Sequence, residues 1–174
     1  MKLTVIIPVY NEIKSLEKII DKISKIDFVK IQIILVDDCS SDGTKELINL
    51  KLIKKVDKVF FHEKNLGKGA AIKSAKQFVE GDLVIIQDAD LEYDPNDYEK
   101  LTQPIINGET NVVYGSRVLG KNKFENLENF SHGIRIWGNT ILTIISNFIN
   151  KTNLTDAHTC YKMFDAKLFK KIEL

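Results

Sequence analysis

Leu83-Val84-Ile85-Ile86-Gln87-Asp88-Ala89-Asp90-Leu91-Glu92-Tyr93-Asp94-Pro95 is the stretch on which the reading of the chain turns. It opens as an uncharged apolar run, the pattern of a strand buried on both faces. It then changes to Asp88, Asp90, Glu92 and Asp94 in alternation. Side chains two apart in an extended chain point the same way. If the strand continues past Gln87, then Asp88, Asp90 and Glu92 converge on one point. Carboxylates that close repel unless something cationic lies between them. A hard divalent cation, Mg²⁺ or Mn²⁺, takes oxygen ligands of this kind. The plainer alternative is a solvated acidic turn closed by Pro95. Position favours the cation, because ligands of open α/β sheets gather just past the carboxyl ends of the strands.

Outward from this stretch, strands alternate with helices. Residues 3–9 and 31–36 are apolar, β-branched runs that read as central strands, the first ended by Pro8. Between them Leu16, Ile19, Ile20, Ile23 and Ile26 recur at helical spacing. The turn-rich segment 37–44 leads into a helix carrying Leu47, Ile48 and Leu52, then a shorter strand over 56–61. Residues 62–69 read as a loop and 70–79 as a small-residue helix that feeds the strand at Leu83. Pro95 opens a further helix ended by Gly108, and 111–114 is another strand. Residues 119–129 are polar and aperiodic, a loop by composition. A long amphipathic helix over 133–149, a loop or short strand over 155–162 and a helix over 165–171 complete the chain. The alternation predicts right-handed crossovers and an α/β fold with a mainly parallel sheet.

At 174 residues and 44% hydrophobic composition, the chain 1–174 is read as a single domain with a substantial core. A net charge of +1 gives no electrostatic case for nucleic acid. Cys39 and Cys160 form no metal-type pair and suit a reducing, cytoplasmic compartment. Neither the opening residues nor 141–149 make an apolar run long enough to cross a bilayer.

Acids follow three strands: Glu12, then Asp37 and Asp38, then Asp88 and Asp90. Carboxylates past strand ends accept hydrogen bonds from ribose hydroxyls or base N–H groups. Helix capping is the competing role, favoured for Ser40 and Asp42 over Asp37 and Asp38. Pro8 and Tyr10 suit an apolar wall against a base. No dinucleotide fingerprint or P-loop occurs. Gly67-Lys68-Gly69 precedes a helix, where anions are welcome, so Lys68 either meets a phosphate or faces solvent.

Taken in order, Val5-Ile6-Ile7-Pro8-Val9-Tyr10-Asn11-Glu12, Val36-Asp37-Asp38-Cys39-Ser40-Ser41-Asp42-Gly43-Thr44, Asn65-Leu66-Gly67-Lys68-Gly69 and Asp88-Ala89-Asp90 resemble the family-2 glycosyltransferases of GT-A (Rossmann-like) fold. Within them, residues 88–95, Tyr114-Gly115-Ser116-Arg117 and 155–162 look like the branch that makes polyprenyl-phosphate sugars, with dolichyl-phosphate mannosyltransferase its best-known member. The resemblance implies that Pro8, Tyr10, Glu12, Val36 and Asp38 hold the nucleoside. It further implies that Lys68, Asp88, Ala89 and Asp90 lie against the donor, and that Asp88, Asp90 and Glu92 hold the metal. Arg117 would meet a phosphate of donor or acceptor. Glu92 stands where glutamine is frequent, and Cys39 replaces the usual glycine of its turn, which is strained if that turn needs positive φ. Members of the branch usually continue into amphipathic or membrane helices. The chain is therefore expected to be a fragment or a minimal form, working with a membrane-anchoring partner or a missing C-terminal segment.

The implied reaction is inverting transfer of a hexose from a nucleoside-diphosphate sugar, of GDP-mannose or UDP-glucose type, to a polyprenyl phosphate at a membrane surface. A lipid phosphate is already ionised and needs cations rather than a base. Arg117 and Arg135 are the candidates with Lys162, although Arg135 also suits a helix surface. A glycan hydroxyl as acceptor would need a general base, and Asp156 is then the candidate; alternatively Asp156 orients 159–162. A nucleotide-sugar-binding domain without turnover is the remaining reading. The helix 133–149 is expected to pack on the core, with a lipid-facing surface as the alternative.

Overall fold

The computed structural model describes residues 1–116 and 130–173, except the side chains of 130–137. Arg117 and the polar segment 119–129 therefore lie outside the described residues, as does the side chain of Arg135. Two compact units are formed, Met1–Val113 with Met163–Leu174, and Tyr114–Lys162.

The first unit is built on a sheet of order β3-β2-β1-β4-β6-β5. Its strands are β1 (Lys2–Val9), β2 (Lys30–Asp37), β3 (Lys58–Phe61), β4 (Leu83–Ile86), β5 (Val112–Tyr114) and β6 (Lys162–Asp165). β1 pairs in parallel with β2 and with β4, and β2 pairs in parallel with β3. The helices are α1 (Leu16–Ile23), α2 (Thr44–Leu47), α3 (Lys68–Lys76), α4 (Tyr98–Ile106), α5 (Phe130–Asn150) and α6 (Ala166–Lys171). α2 widens into a π-helical turn over Ile48–Leu52, which buries Ile48 and Leu52.

Central strands that are apolar on both faces require cover on both faces. On one side Ile6, Ile34, Val36, Val84 and Ile86 meet Ala71, Ile72 and Ala75 of α3 and Ala166 and Phe169 of α6 in a single cluster. Residues of the opposite parity, Val5, Ile7, Leu35 and Ile85, are buried as well. Gly81 brings the chain into β4 hard against β1. A Cβ there would lie 2.7 Å from the Lys2 carbonyl oxygen, so only glycine fits.

Pro8 lies inside β1 rather than ending it, paired in register with Val36. The Ile6 carbonyl accepts from Gln87 N–H at 2.9 Å, so Ile6 and Pro8 turn their backbone polar groups toward β4. β4 has already stopped at Ile86, and the missing N–H of Pro8 breaks no ladder bond. The sequence reading missed β6, which enters the sheet between β4 and β5. Asp165 N–H donates to the Asn111 carbonyl and Ala166 N–H to the Asp82 carbonyl, both at 2.9 Å.

In the second unit, α5 carries Ile141, Leu142, Ile144, Ile145, Phe148 and Ile149 exposed. This departs from the expectation of core packing. The inward position Thr143 is buried and accepts from Ala157 N–H at 3.1 Å.

Candidate active site

A cavity of about 220 Å³ lies past the ends of β1, β2 and β4. Pro8, Val9, Tyr10 and Glu12 line it from the end of β1, and Asp38 from the end of β2. Lys68 and Ala71 line it from α3, and Asp88, Ala89 and Asp90 from the end of β4. These are the carboxyl ends of parallel strands, where such sheets bind ligands.

Four of the lining side chains are carboxylates, and the local fold disposes of each differently. Glu12 accepts a bond from the Ser15 hydroxyl at the start of α1, and its N–H donates to Thr44 Oγ1 at 3.0 Å. Asp38 is the most constrained. Oδ1 accepts from Leu66 N–H at 2.9 Å and lies 2.7 Å from His62 Nδ1, and Oδ2 accepts from Gly67 N–H at 2.7 Å. Burial pushes its pKa up, but the bonds from Leu66, His62 and Gly67 together outweigh it and hold the carboxyl below its ordinary value.

His62 also reaches Ser74 Oγ of α3 at 2.9 Å through Nε2. Asp38, His62 and Ser74 thus stand in the order of a hydrolytic triad. Ser74, however, is in mid-helix, where neighbouring N–H groups are committed to the helix and cannot form an oxyanion hole. The chain of bonds instead ties β2 to α3. It fixes the turn at Leu66 and Gly67 (φ +86°) from which α3 starts.

Asp88 and Asp90 are held from below. Gln87, fully buried, accepts from the Tyr98 hydroxyl at 2.9 Å and donates to the Asp88 carbonyl at 2.9 Å. Asp88 Oδ1 accepts from the Lys68 ammonium. Asp90 Oδ1 accepts from Glu92 N–H at 3.0 Å.

The expected trio of Asp88, Asp90 and Glu92 does not assemble. β4 ends at Ile86, and Leu91 turns the chain with φ +66°, which destroys the two-residue alternation. Glu92 is exposed and does not line the cavity. Among the described residues no group of three His, Cys, Asp or Glu side chains is gathered to hold a metal ion. Asp88 and Asp90 remain as a pair. Their chemistry fits a cation such as Mg²⁺ that takes one or two carboxylates and completes its shell with substrate phosphates and water.

Other expected site residues fall elsewhere. Val36 is fully buried in the apolar cluster under α3 and does not line the cavity. Asp37 is also buried; its Oδ2 accepts from Ser40 N–H at 3.2 Å, and its Oδ1 has no hydrogen-bond partner among the described residues. Ser40 accepts from Asn11 N–H rather than capping α2, whose N-cap is Gly43. Asp42 does serve that end of the helix, accepting from Thr44 N–H at 3.0 Å.

In the second unit Asp156 is buried and accepts from Asn139 Nδ2 of α5 at 3.0 Å. Lys162 Nζ lies over the Tyr114 ring at 5.2 Å from its centroid. Neither Cys39 nor Cys160 is in a disulfide, and Cys39 has φ +65°.

His62 and Gln87 were not found from sequence. A polar residue ending an otherwise apolar strand was the signal available at Gln87, whereas nothing in a charged loop marks His62 as buried.

The fold matches what comparison with known proteins finds. The chain belongs to glycosyl transferase family 2, whose profile matches residues 4–173. It is 35% identical to a dolichol-phosphate mannosyltransferase of Pyrococcus furiosus over 127 residues, 72% of this chain and 36% of that one. It is 29% identical to a UDP-N-acetylglucosamine–dolichyl-phosphate N-acetylglucosaminyltransferase of Methanococcus voltae, over 95% of this chain and 70% of that one. Among solved structures it resembles a mannosyltransferase from Pyrobaculum calidifontis in complex with GDP-mannose and Mn²⁺. The TM-score is 0.58 at 25% identity, over 66% of this chain and 35% of that one. The chain thus spans little more than a third of the Pyrococcus relative. Among the described residues no helix is long and apolar enough to cross a membrane.

Proposed function

We propose that the chain transfers a hexose from a nucleoside-diphosphate sugar to a polyprenyl phosphate at the cytoplasmic face of a membrane. The observation that carries this reading is the cavity in which Pro8, Tyr10, Glu12, Asp38, Lys68, Asp88 and Asp90 meet past three strand ends. Pro8 and half-exposed Tyr10 offer a flat apolar wall to a base. Glu12 and Asp38 are acceptors suited to ribose hydroxyls or a base N–H. The N-terminus of α3 and Lys68 suit the diphosphate.

Displacement at the anomeric carbon with inversion leaves charge on that diphosphate. A Mg²⁺ or Mn²⁺ ion held by Asp88 and Asp90 would supply Lewis-acid neutralisation of this charge. Preorganised electrostatic stabilisation of the departing group is worth roughly 3–4 kcal/mol per well-placed donor. The acceptor phosphate is already ionised, so no general base is needed. We assign Arg117 and Arg135, with Lys162, as cations for phosphate. Asp156, already bonded to Asn139, then orients the segment before β6 rather than taking a proton. The exposed apolar face of α5 supports an acceptor that resides in a lipid leaflet.

A thermal-shift screen of nucleotide sugars with and without Mn²⁺ tests the donor side, since a bound ligand raises stability by mass action. Transfer of labelled sugar to polyprenyl phosphate tests the acceptor. Label in saccharide alone would replace the lipid acceptor with a glycan. Donor binding with no transfer in the presence of membranes would leave only a binding domain.

A further inference from the structure

The Lys68 ammonium sits on the same carboxylate that the proposed donor cation would need. Lys68 is the first residue of α3, and Asp88 follows β4, so the contact joins two elements twenty residues apart. Both groups line the cavity, and the Lys68 side chain keeps 41% of its surface exposed against 17% for Asp88. Lys68 therefore has room to leave, whereas Asp88 is fixed through the bond from Gln87 to its carbonyl. The glycines on either side of Lys68 leave that room open: a Cβ on Gly67 or Gly69 would have nothing within 4 Å.

Charge makes the contact consequential. Among the described residues the cavity lining carries the carboxylates of Glu12, Asp38, Asp88 and Asp90 against the ammonium of Lys68. A diphosphate approaching that surface is repelled until more positive charge enters. A divalent cation on Asp88 and Asp90 brings it, but Lys68 already occupies Asp88 Oδ1.

We infer that Lys68 is a displaceable counter-cation: it neutralises Asp88 while the donor site is empty, yields that carboxylate to the incoming divalent ion, and turns its ammonium to the diphosphate. Resting on the donor reading above, this assigns Lys68 two partners in sequence. It also predicts effects of opposite sign on metal and on nucleotide. A lysine that merely stabilised the fold would shift both affinities the same way. A lysine that only bound phosphate would leave the affinity for metal alone unchanged.

The test is calorimetric titration of the full chain with Mn²⁺ alone, and with GDP or UDP in the presence of Mn²⁺, for wild type, Lys68→Met and Lys68→Arg. Lys68→Met is expected to bind Mn²⁺ alone roughly threefold more tightly, the scale of a lost partly exposed ion pair. It should bind the nucleoside diphosphate about tenfold more weakly, the scale of one charge-assisted hydrogen bond to phosphate. Lys68→Arg, which keeps the charge, should hold Mn²⁺ affinity near the wild-type value. Unchanged or weaker Mn²⁺ binding by Lys68→Met overturns the inference, as does unchanged nucleotide affinity. If wild type binds Mn²⁺ and a nucleoside diphosphate but the variants show no opposed shifts, the inference alone falls. If wild type binds neither GDP nor UDP with Mn²⁺, the donor reading falls and takes the inference with it.

Discussion

His62 Nδ1 lies 2.7 Å from Asp38 Oδ1, with both side chains more than nine-tenths buried. The pair is the knot of the cavity wall, because the same carboxylate also takes the N–H groups of Leu66 and Gly67. A carboxylate with several donors organises a loop as a helix cap organises a helix start. Removing the ring leaves the Ser74 hydroxyl without its imidazole partner and loosens the turn before α3. His62→Ala is expected to cost about 1–3 kcal/mol, the penalty of unmaking buried hydrogen bonds. Urea denaturation measures it, and amide exchange should accelerate at Leu66 and Gly67.

The same bonds set a dependence on pH. The Asp38 carboxyl titrates below its ordinary value of 3.8 in the folded chain. A depressed carboxylate contributes stability that is present above the unfolded value and lost as pH falls through the folded one. Wild-type stability should therefore decline below about pH 4, and the acid limb of Asp38→Asn should be flatter. Equal slopes for the two proteins would remove Asp38 from that account.

Asp90 is exposed and, among the described residues, bonds only along its own turn, to Glu92 N–H, so its removal should leave the fold intact. Its proposed work is electrostatic. A nucleoside diphosphate with Mn²⁺ at a hundredfold excess over its dissociation constant stabilises wild type by about 2.7 kcal/mol. Asp90→Ala should melt like wild type without ligand and lose the Mn²⁺-dependent part of that increment. Calorimetric binding unchanged by the substitution would end the metal role of Asp90.

Cys39 carries φ +65°, a region that costs an L-residue about 1–2 kcal/mol. Its thiol lies 3.5 Å from the Glu63 carbonyl, which returns little. Cys39→Gly removes the strain but adds freedom to the unfolded chain worth about 0.4–1 kcal/mol. The net gain should lie between about 0 and 1.6 kcal/mol, the difference of those two ranges. A lower denaturation midpoint would show that the thiol contributes more than its geometry indicates.

The sheet was legible where the chain is apolar for longer than a turn. Residues of β1, β2 and β4 announce themselves because burial on both faces permits no polar interruption. β6 did not, since Lys162 and Asp165 leave only Met163 and Phe164 as signal. The cavity was legible because Glu12, Asp38, Asp88 and Asp90 each follow a strand, and parallel strands bring their ends to one rim. Glu92 was misplaced because alternation holds only while the chain stays extended, and nothing in Leu91 declares the left-handed turn it makes. Val36 illustrates the opposite error: a residue one step before the acids is still core, because the strand has not yet ended.

The surface of α5 offers the last test. Ile144 and Phe148 lie one helical turn apart and are 62% and 87% exposed. Residues that exposed stabilise the folded chain little, so Ile144→Ser with Phe148→Ser should melt within a degree or two of wild type. If the face lies against lipid, each lost side chain forfeits on the order of 1.5–3 kcal/mol of apolar burial. That is about tenfold or more in membrane affinity per side chain. Co-sedimentation with phospholipid vesicles should therefore fall steeply in the double variant, and transfer to a vesicle-borne polyprenyl phosphate should fall with it. Transfer to a short-chain, water-soluble acceptor should persist, because the cavity residues are untouched. Equal vesicle binding by the two proteins would take the apolar face of α5 out of the membrane reading and leave acceptor capture to other parts of the chain.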